Sequence, residues 1–284
     1  HKITQEGGVI PEEYRVEYVA DRTVTTSKIM MGLTVECARC HTHKYDPITH
    51  DEFFSLYSFF NNVEENGIIA YGDTAPEPNL TINKKDIENE LNFVNLPDSI
   101  NKVTLMVMKE SENLRKTYVL NRGSYDSPLN EVGPGTPEVV LPFNEKKYPK
   151  NRYGLSKWFF EEDNPLTSRV VVNRLWQQFF GVGIVSTPDD FGSQGSKPSN
   201  PELLDWLAFT FQKNDKWDTK KFIKRIVMSS TYTQSSKINI ENKNIDTDNT
   251  YLSYYPRQKL TAEMVRDNAL ASSGMLVSKI GGPS

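Results

Sequence analysis

Two cysteines three positions apart, followed directly by a histidine, carry the clearest chemistry in this sequence. Residues 37 to 41 read Cys-Ala-Arg-Cys-His, which is the attachment motif of c-type haem. Two thiols about one helical turn apart can add to the two vinyl groups of one porphyrin, and the next residue presents its imidazole to the iron. The motif therefore predicts one covalent haem c in a protein that works outside the cytoplasm. Cys37 and Cys40 would hold this haem, His41 would be its proximal ligand, and Arg39 and His43 are further candidates for cofactor binding.

The second axial ligand of such a haem is harder to assign. His50 is the better candidate for the distal position, because His43 lies only two residues from His41 and is expected to bond a propionate instead. Each of the seven methionines is also a candidate, although methionine is more often core filler than ligand. An open sixth position would favour catalysis or ligand sensing over electron transfer. Whether the protein is an enzyme is therefore left open.

Three other uses of the same side chains stay open. The two thiols could belong to a tetrahedral zinc site, although neighbouring Cys40 and His41 cannot easily serve one tetrahedral ion. They could form a thioredoxin-like redox pair, but a helical pattern precedes them where that fold needs a strand. They could also be two buried structural thiols beside a chance histidine. The zinc reading would take both thiols and two of the three neighbouring histidines, which are His41, His43 and His50.

Two helices are predicted to position the motif. Pro11 at a first helical position, with acidic residues in the first turn, predicts a helix over residues 11–33. After Pro47 breaks the chain, Thr49 and Glu52 form a capping-box pattern that predicts a second helix. The aromatic face of this second helix could pack on a haem or form ordinary core.

The remaining chain predicts a mainly α fold in three parts. Residues 64–101 indicate loop or linker, runs at 103–108 and 117–120 predict strands, and residues 123–142 are rich in Gly and Pro. Later helices are expected to open at Asn164-Pro165, Asn200-Pro201, Asp218 and Thr261. We therefore predict a small haem-bearing helical domain at 1–63, a linker with a short β element at 64–152, and a multi-helical domain at 153–284.

Composition excludes several classes of protein. The net charge of −4 leaves no broad basic field, so nucleic acids and anionic membrane surfaces are not expected partners. No apolar run approaches the roughly 20 residues that a membrane-spanning helix needs. The chain starts at His1 rather than Met, and we expect the numbering to start inside a longer or processed precursor.

Several longer motifs resemble a known family. Residues 12–22 and 32–47 are similar to the planctomycete-type cytochrome c-like family. Asn-Arg-Leu-Trp-Gln at 173–177 and Thr-Pro-Asp-Asp-Phe-Gly at 187–192 resemble its companion C-terminal domain of unknown function. Relatives usually carry a longer insert near residues 64–100.

The resemblance also implies a location and partners. It implies a bacterial protein that is periplasmic, associated with the outer membrane, or secreted. Its expected partner is a redox protein or an exported sulfatase-like or polysaccharide-degrading protein, with polysaccharide itself as a further candidate. Asn200 stands where many relatives have His, which argues against a haem-ligand or metal role at that position.

Arginines of the C-terminal part allow two readings. Arg169 and Arg174 could bind a haem propionate or a sulfated or carboxylated sugar, because guanidinium forks match such oxyanions. We favour a buried salt-bridge network instead, because charged groups inside helical domains usually pair. The neighbouring carboxylates at 189 and 190 are expected to organise a turn rather than act as acid and base. The expected acceptor of the arginines is Asp189, Asp190, Glu263 or Asp267.

Two functions from different classes follow. The leading hypothesis is an exported c-type cytochrome-like protein that transfers electrons or docks a redox partner. The alternative is a carbohydrate-processing or carbohydrate-binding protein of polysaccharide utilisation, in which the haem is structural or oxidative. Trp206 and Trp217 could stack on sugars in this second case, although at such positions tryptophan is more often core.

Overall fold

The structure is a computed structural model that describes residues 8–65, 67–68, 77–86 and 102–279. The mainly α fold predicted from sequence is confirmed, with two small antiparallel pairs of strands. The helices are α1 Pro11–Met31, α2 His50–Asn61, α3 Arg152–Phe159, α4 Thr167–Phe180, α5 Pro201–Phe209, α6 Thr219–Val227, α7 Ser230–Thr233, α8 Ile240–Ile245 and α9 Ala262–Ser272. The strands are β1 Asn79–Asn83, β2 Lys102–Met106, β3 Thr117–Leu120 and β4 Pro128–Val132.

The first helix ends at the glycine that leads into the motif. Pro11 lies at the start of α1, as predicted, and Gly32 adopts a left-handed conformation with φ of 61°. The Gly32 N–H donates to the Lys28 carbonyl at 3.2 Å, which closes the helix C-terminus. A Cβ at Gly32 would also lie 2.7 Å from Cδ2 of Phe191, so both the backbone and the packing require glycine here.

The second helix begins with the predicted capping box. The Glu52 N–H donates to Oγ1 of Thr49 at 3.1 Å, and the Thr49 N–H donates to Oε2 of Glu52 at 2.7 Å. The aromatic face of α2 is buried against α1, β3 and α3 in one core. The boundary predicted at residue 153 stays a prediction, although α3 side chains pack into this first core. Large side chains of this core are Met31, Phe53, Phe54, Phe59 and Trp158.

The strands differ in part from the sequence prediction. β3 coincides with the predicted run at 117–120, and β2 lies within a residue or two of the run at 103–108. The loop predicted over residues 64–101 is wrong at β1, and the Gly/Pro segment at 123–142 contains β4. Both missed strands are stabilised by pairing with a partner strand, β1 with β2 and β4 with β3, which local propensity does not report. The proline at the start of β4 is tolerated because the first residue of a strand need not donate.

A second core lies in the C-terminal helical domain. Trp176, Leu207, Phe211 and Phe222 meet there between α4, α5 and α6. α5 ends at Phe209, and a π-helical turn follows it at Thr210–Asn214. α9 buries none of its side chains in the described structure. None of the described helices is long and apolar enough to cross a bilayer.

Candidate functional site

The Cys-Ala-Arg-Cys-His motif forms a tight turn between α1 and α2. Glu36–Arg39 is a 3₁₀ helix, and the N–H groups of Cys40 and His41 both donate to the Cys37 carbonyl, at 3.2 and 3.4 Å. Ala38 is fully buried and anchors the turn, whereas Cys37 and Cys40 are free and exposed. The structure thus presents two accessible thiols about one turn apart on one short segment.

His41 is exposed, and its ring is oriented by the next residue. Its Nδ1 lies 2.7 Å from the carbonyl oxygen of Thr42, so the Nδ1 proton is donated to that oxygen. The neutral imidazole then keeps its lone pair on Nε2. Metal-ligating histidines commonly donate their second ring nitrogen to a backbone carbonyl in this way. The contact of Nδ1 with Thr42 thus leaves Nε2 of His41 as the ring nitrogen for an iron.

The other two histidines of the loop are engaged within it. His43 is buried, and its Nδ1 accepts the N–H of Asp46 at 2.8 Å. His50 is the first residue of α2; its Nε2 lies 3.0 Å from the Arg39 carbonyl oxygen, and its ring packs edge-on against Phe54. The roles of His43 at a propionate and of His50 as distal ligand stay predictions, and these contacts weigh against both.

The donor set of the loop fits a haem better than a zinc ion. Within the described ranges, no three His, Cys, Asp or Glu side chains gather closely enough to hold a metal ion. A zinc site would need His43 to leave its buried position or His50 to leave its bond to the Arg39 carbonyl. A haem iron needs fewer ligands from the protein, because the porphyrin supplies four nitrogen ligands and a single axial imidazole suffices.

Arg39 and Cys40 connect the motif to its surroundings. The Arg39 guanidinium forms two hydrogen bonds to the Glu17 carboxylate of α1, which raise the pKa of Arg39 above its ordinary value. The same guanidinium donates to the Gly123 carbonyl at 3.3 Å, and the Cys40 thiol donates to the Arg122 carbonyl at 3.3 Å. The connection between β3 and β4, predicted as part of a linker, therefore helps to hold the motif turn.

Residues 187–193 of the C-terminal part also contact the attachment loop, through Asp46. Oδ1 of buried Asp46 accepts both the N–H and the hydroxyl of Ser193, each at 2.7 Å. A Cβ on Gly192 would lie 2.4 Å from Oδ2 of Asp46, so the two loops can approach only because residue 192 is glycine. The Phe191 N–H donates to the Gly32 carbonyl at 2.7 Å. The 187–193 loop thus contacts both the attachment loop and the glycine that ends α1.

Arg174 strengthens the same contact. Its Nη1 donates to the Ile29 carbonyl at 2.8 Å, and its Nη2 donates to the Lys28 carbonyl at 2.7 Å. These carbonyls belong to the last turn of α1, where a cation is favourable. Nη2 also pairs with Asp189 at 2.9 Å. Arg174 therefore joins the 187–193 loop to the end of the helix that precedes the motif.

The predicted pairing of Arg174 with Asp189 is confirmed, but the predicted burial of a salt-bridge network is wrong. The structure has separate, partly exposed pairs instead, and the partner of Arg169 is Asp205, at 2.8 Å. Glu263 and Asp267 lie on exposed α9, and neither forms an ion pair with Arg169 or Arg174. Asp190 accepts the N–H of Gly192 at 2.9 Å, which confirms the expected turn.

The two tryptophans considered for sugar stacking lie in different surroundings. Trp217 is partly buried, with its ring edge-on to Phe160 and Phe211 at 4.8 and 5.2 Å between centroids. Trp206 was expected in the core and is 53% exposed, with the Arg225 guanidinium 5.9 Å from its ring centroid. α5 buries its other face, so position 206 turns toward solvent. The buried residues of α5 are Leu204, Leu207 and Ala208.

Sequence reasoning missed a wide, open cavity of about 1460 Å³ in the C-terminal domain. It lies between the end of α4, residues 182–203 and residues 231–257, and no residue of the attachment loop lines it. Its walls come from segments far apart in the chain, so no local motif could have indicated it.

Family models match both ends of the chain. Residues 1–65 match the model described as PSCyt2, a protein of unknown function (DUF1549). Residues 151–284 match PSD1, a protein of unknown function (DUF1553). These are the planctomycete cytochrome c-like family and its companion domain, so the resemblance is confirmed for these two segments. Neither a curated protein nor a solved structure matches the chain.

Proposed function

We propose that this protein is a c-type cytochrome-like protein with one haem attached to Cys37 and Cys40 and ligated by His41. The observation that carries the proposal is the surface turn that exposes both thiols one helical turn apart. The His41 tautomer supports it, because Nε2 keeps the lone pair that an iron ligand donates. The match of residues 1–65 to the PSCyt2 model agrees with it.

When bound, the haem would supply an iron that accepts and releases one electron. The chain's own residues would hold it in place. The two thiols would fix the porphyrin, and the Thr42 carbonyl would keep the His41 ring in one orientation. Asp46 bonds Ser193 and Arg39 bonds Glu17, so the ligand-bearing segment is attached to two other parts of the chain. An exposed attachment turn suits electron transfer to a docked redox partner.

We extend the proposal to location and partners on the strength of the family resemblance. The protein would act in the periplasm, at the outer membrane or outside a bacterial cell. Its partner would be a redox protein or an exported sulfatase-like or polysaccharide-degrading protein, with polysaccharide as a further candidate. The net charge of −4 argues against nucleic acid as a partner.

Of the residues first considered for the alternative function, carbohydrate processing or binding, only Trp206 stays exposed and available for stacking. Arg169 and Arg174 are engaged with Asp205 and Asp189, and Trp217 packs between two aromatic rings. A different observation favours it, namely the open cavity of the C-terminal domain, which lies apart from the attachment loop.

Expression together with a haem-maturation system tests the leading proposal. Haem should migrate with the denatured chain on a haem-stained gel, and the pyridine haemochrome spectrum should report two thioether bonds. The Cys37→Ser/Cys40→Ser variant should lose the stain completely. A folded wild-type chain that carries no covalent haem under these conditions would contradict the proposal.

Carbon monoxide binding to the reduced protein then distinguishes an electron carrier from a protein that performs chemistry at the iron. Ready binding indicates an open or weakly held sixth position and favours ligand chemistry. The absence of carbon monoxide binding indicates a second strong axial ligand and favours electron transfer.

A further inference from the structure

The cavity of the C-terminal domain is larger than an ordinary small-molecule site. Its volume is about 1460 Å³, whereas pockets for drug-sized ligands typically enclose roughly 300–1,000 Å³. It is open to solvent along one side, so a longer molecule could enter and leave without a closing movement. The size suits a short segment of a polymer better than a single small metabolite.

The floor of the cavity is aromatic and firmly packed. Trp176 and Phe180 of α4 are buried, with ring centroids 4.2 Å apart, and Ile184 lies beside them. Tyr251 and Tyr254 line the outer part. Aromatic rings of this kind offer flat apolar faces to a ligand, together with polar edges for hydrogen bonding.

The walls carry hydroxyl groups that the protein does not use. Five serine and threonine side chains are part of this lining, and within the described part of the chain their hydroxyls form no hydrogen bond to another protein group. A hydroxyl both donates and accepts, so such a wall matches a ligand that is itself rich in hydroxyls. The residues concerned are Ser186, Ser199, Thr231, Ser236 and Thr250.

The rim of the cavity is positively charged, although the whole chain has a net charge of −4. Three cationic side chains line it, Lys197, Lys237 and Arg257, against the single carboxylate of Asp248. None of the three cations forms an ion pair with any described residue, in contrast to Arg174 of the same domain, which pairs with Asp189. Unpaired cations around a hydroxyl-lined cavity call for a ligand with acidic groups.

We propose that this cavity binds an acidic oligosaccharide, a chain of sugar rings that carries carboxylate or sulfate groups. Sugar rings would stack on the aromatic floor, their hydroxyls would bond the serine and threonine wall, and their acidic groups would meet the cationic rim. A peptide fits less well. No unpaired strand lines the cavity within the described residues, so a bound peptide could not form backbone hydrogen bonds to a sheet edge. The inference rests on the carbohydrate-binding alternative and names its ligand class. The site lies apart from Cys37 and Cys40, so the inference does not depend on the proposed redox function.

Binding to defined polymers tests this inference on the full chain. The probes are polygalacturonate for carboxylates, dextran sulfate for sulfates, neutral dextran, and polyglutamate as an acidic peptide. Quenching or enhancement of tryptophan fluorescence reports occupancy, because Trp176 lies in the floor. We expect at least one acidic polysaccharide to bind at least tenfold more tightly than both dextran and polyglutamate. The difference between the two acidic polysaccharides identifies the acidic group.

Matched variants separate the cavity from general surface charge. Lys237→Ala/Arg257→Ala removes two rim cations and should weaken binding at least tenfold. Lys220→Ala/Lys224→Ala removes the same charge from exposed positions of α6 outside the cavity and should change binding less than twofold. Thermal unfolding of each variant verifies that it is folded. The Cys37→Ser/Cys40→Ser variant should bind like wild type, which keeps this result distinct from the fate of the haem proposal.

Three results would overturn the inference. The first is the absence of binding by both acidic polysaccharides. The second is an equal loss of affinity in Lys237→Ala/Arg257→Ala and in Lys220→Ala/Lys224→Ala, which would indicate unspecific electrostatic attraction. The third is binding of polyglutamate as tight as that of the polysaccharides, which would assign the cavity to acidic peptides instead.

Discussion

The attachment turn and the C-terminal cavity are built in opposite ways. The turn is one short segment in which Cys37, Cys40 and His41 are exposed, while His43, Asp46 and His50 are bound to nearby groups. The cavity collects side chains from Trp176 to Arg257, and many of its polar groups are uncommitted. The polar groups of the turn mostly bond to other parts of the chain, whereas many polar groups of the cavity remain available to a ligand.

The difference reflects two kinds of chemistry. Covalent attachment needs a few reactive atoms at a set spacing, which a single turn of helix supplies. Recognition of a larger ligand needs many weak contacts on a concave surface, which only several segments together can form. A test that perturbs one region should therefore leave the other unchanged.

The largest effect is expected for His41, with His50 of the same loop as its comparison. His41→Ala removes the proximal ligand and should eliminate most of the native haem spectrum, measured as haem absorbance per protein. His50→Gln should keep that spectrum, because Nε2 of His50 is already engaged with the Arg39 carbonyl. If His50→Gln instead shifts the spectrum and opens the iron to carbon monoxide, His50 is the distal ligand.

The contact between the two domains can be tested with a matched pair of glycines. Gly192→Ala places a Cβ 2.4 Å from Oδ2 of Asp46, and such overpacking should cost about 1–3 kcal/mol in free energy of unfolding. Gly133→Ala meets nothing within 4 Å and serves as the control. Urea unfolding measures both. Equal free energies of unfolding for Gly192→Ala and Gly133→Ala would show that the 187–193 loop does not pack closely against the attachment loop.

Arg174 should contribute somewhat less. Arg174→Met removes hydrogen bonds to the Lys28 and Ile29 carbonyls and to Asp189, and we expect a loss of about 1–2 kcal/mol. Arg266→Met, on exposed α9, should be neutral. Thermal unfolding compares the two variants. A neutral Arg174→Met would mean that the end of α1 is held without the C-terminal domain.

The smallest effect is a pH dependence in the domain that carries the cavity. Two hydrogen bonds from Arg225 lower the pKa of Asp215, which is buried. A lowered folded pKa contributes stability at pH values above the unfolded pKa of about 3.9, and this contribution is lost as pH falls through the folded pKa. Asp215→Asn should therefore be less stable than wild type at neutral pH, and the gap should close in acid.

A control carboxylate sharpens that measurement. Asp163 is exposed and forms no ion pair with the described residues, so Asp163→Asn should keep the wild-type dependence of unfolding free energy on pH. A gap between wild type and Asp215→Asn that stays constant from neutral to acidic pH would contradict the role of the Arg225 pair.

The helices were predicted more successfully than the strands. The caps at Thr49, Asn200, Asp218 and Thr261 lie where the sequence placed them, because a cap satisfies backbone groups within three residues. β1 and β4 were missed because each depends on a partner strand rather than on its own residues. The exposure of Trp206 was missed for a similar reason, since the burial of a helix face depends on what packs against it.

The sequence alone determined the attachment turn, because Cys37, Cys40 and His41 are neighbours along the chain and their spacing follows from the backbone. Tertiary structure decided which other side chains stay available. It binds Arg39 to Glu17 and Arg174 to the end of α1, and it leaves Lys237 and Arg257 unpaired among the described residues, at the rim of a cavity. Spacing is a local covalent property, whereas the partner of a side chain depends on segments that meet only after folding.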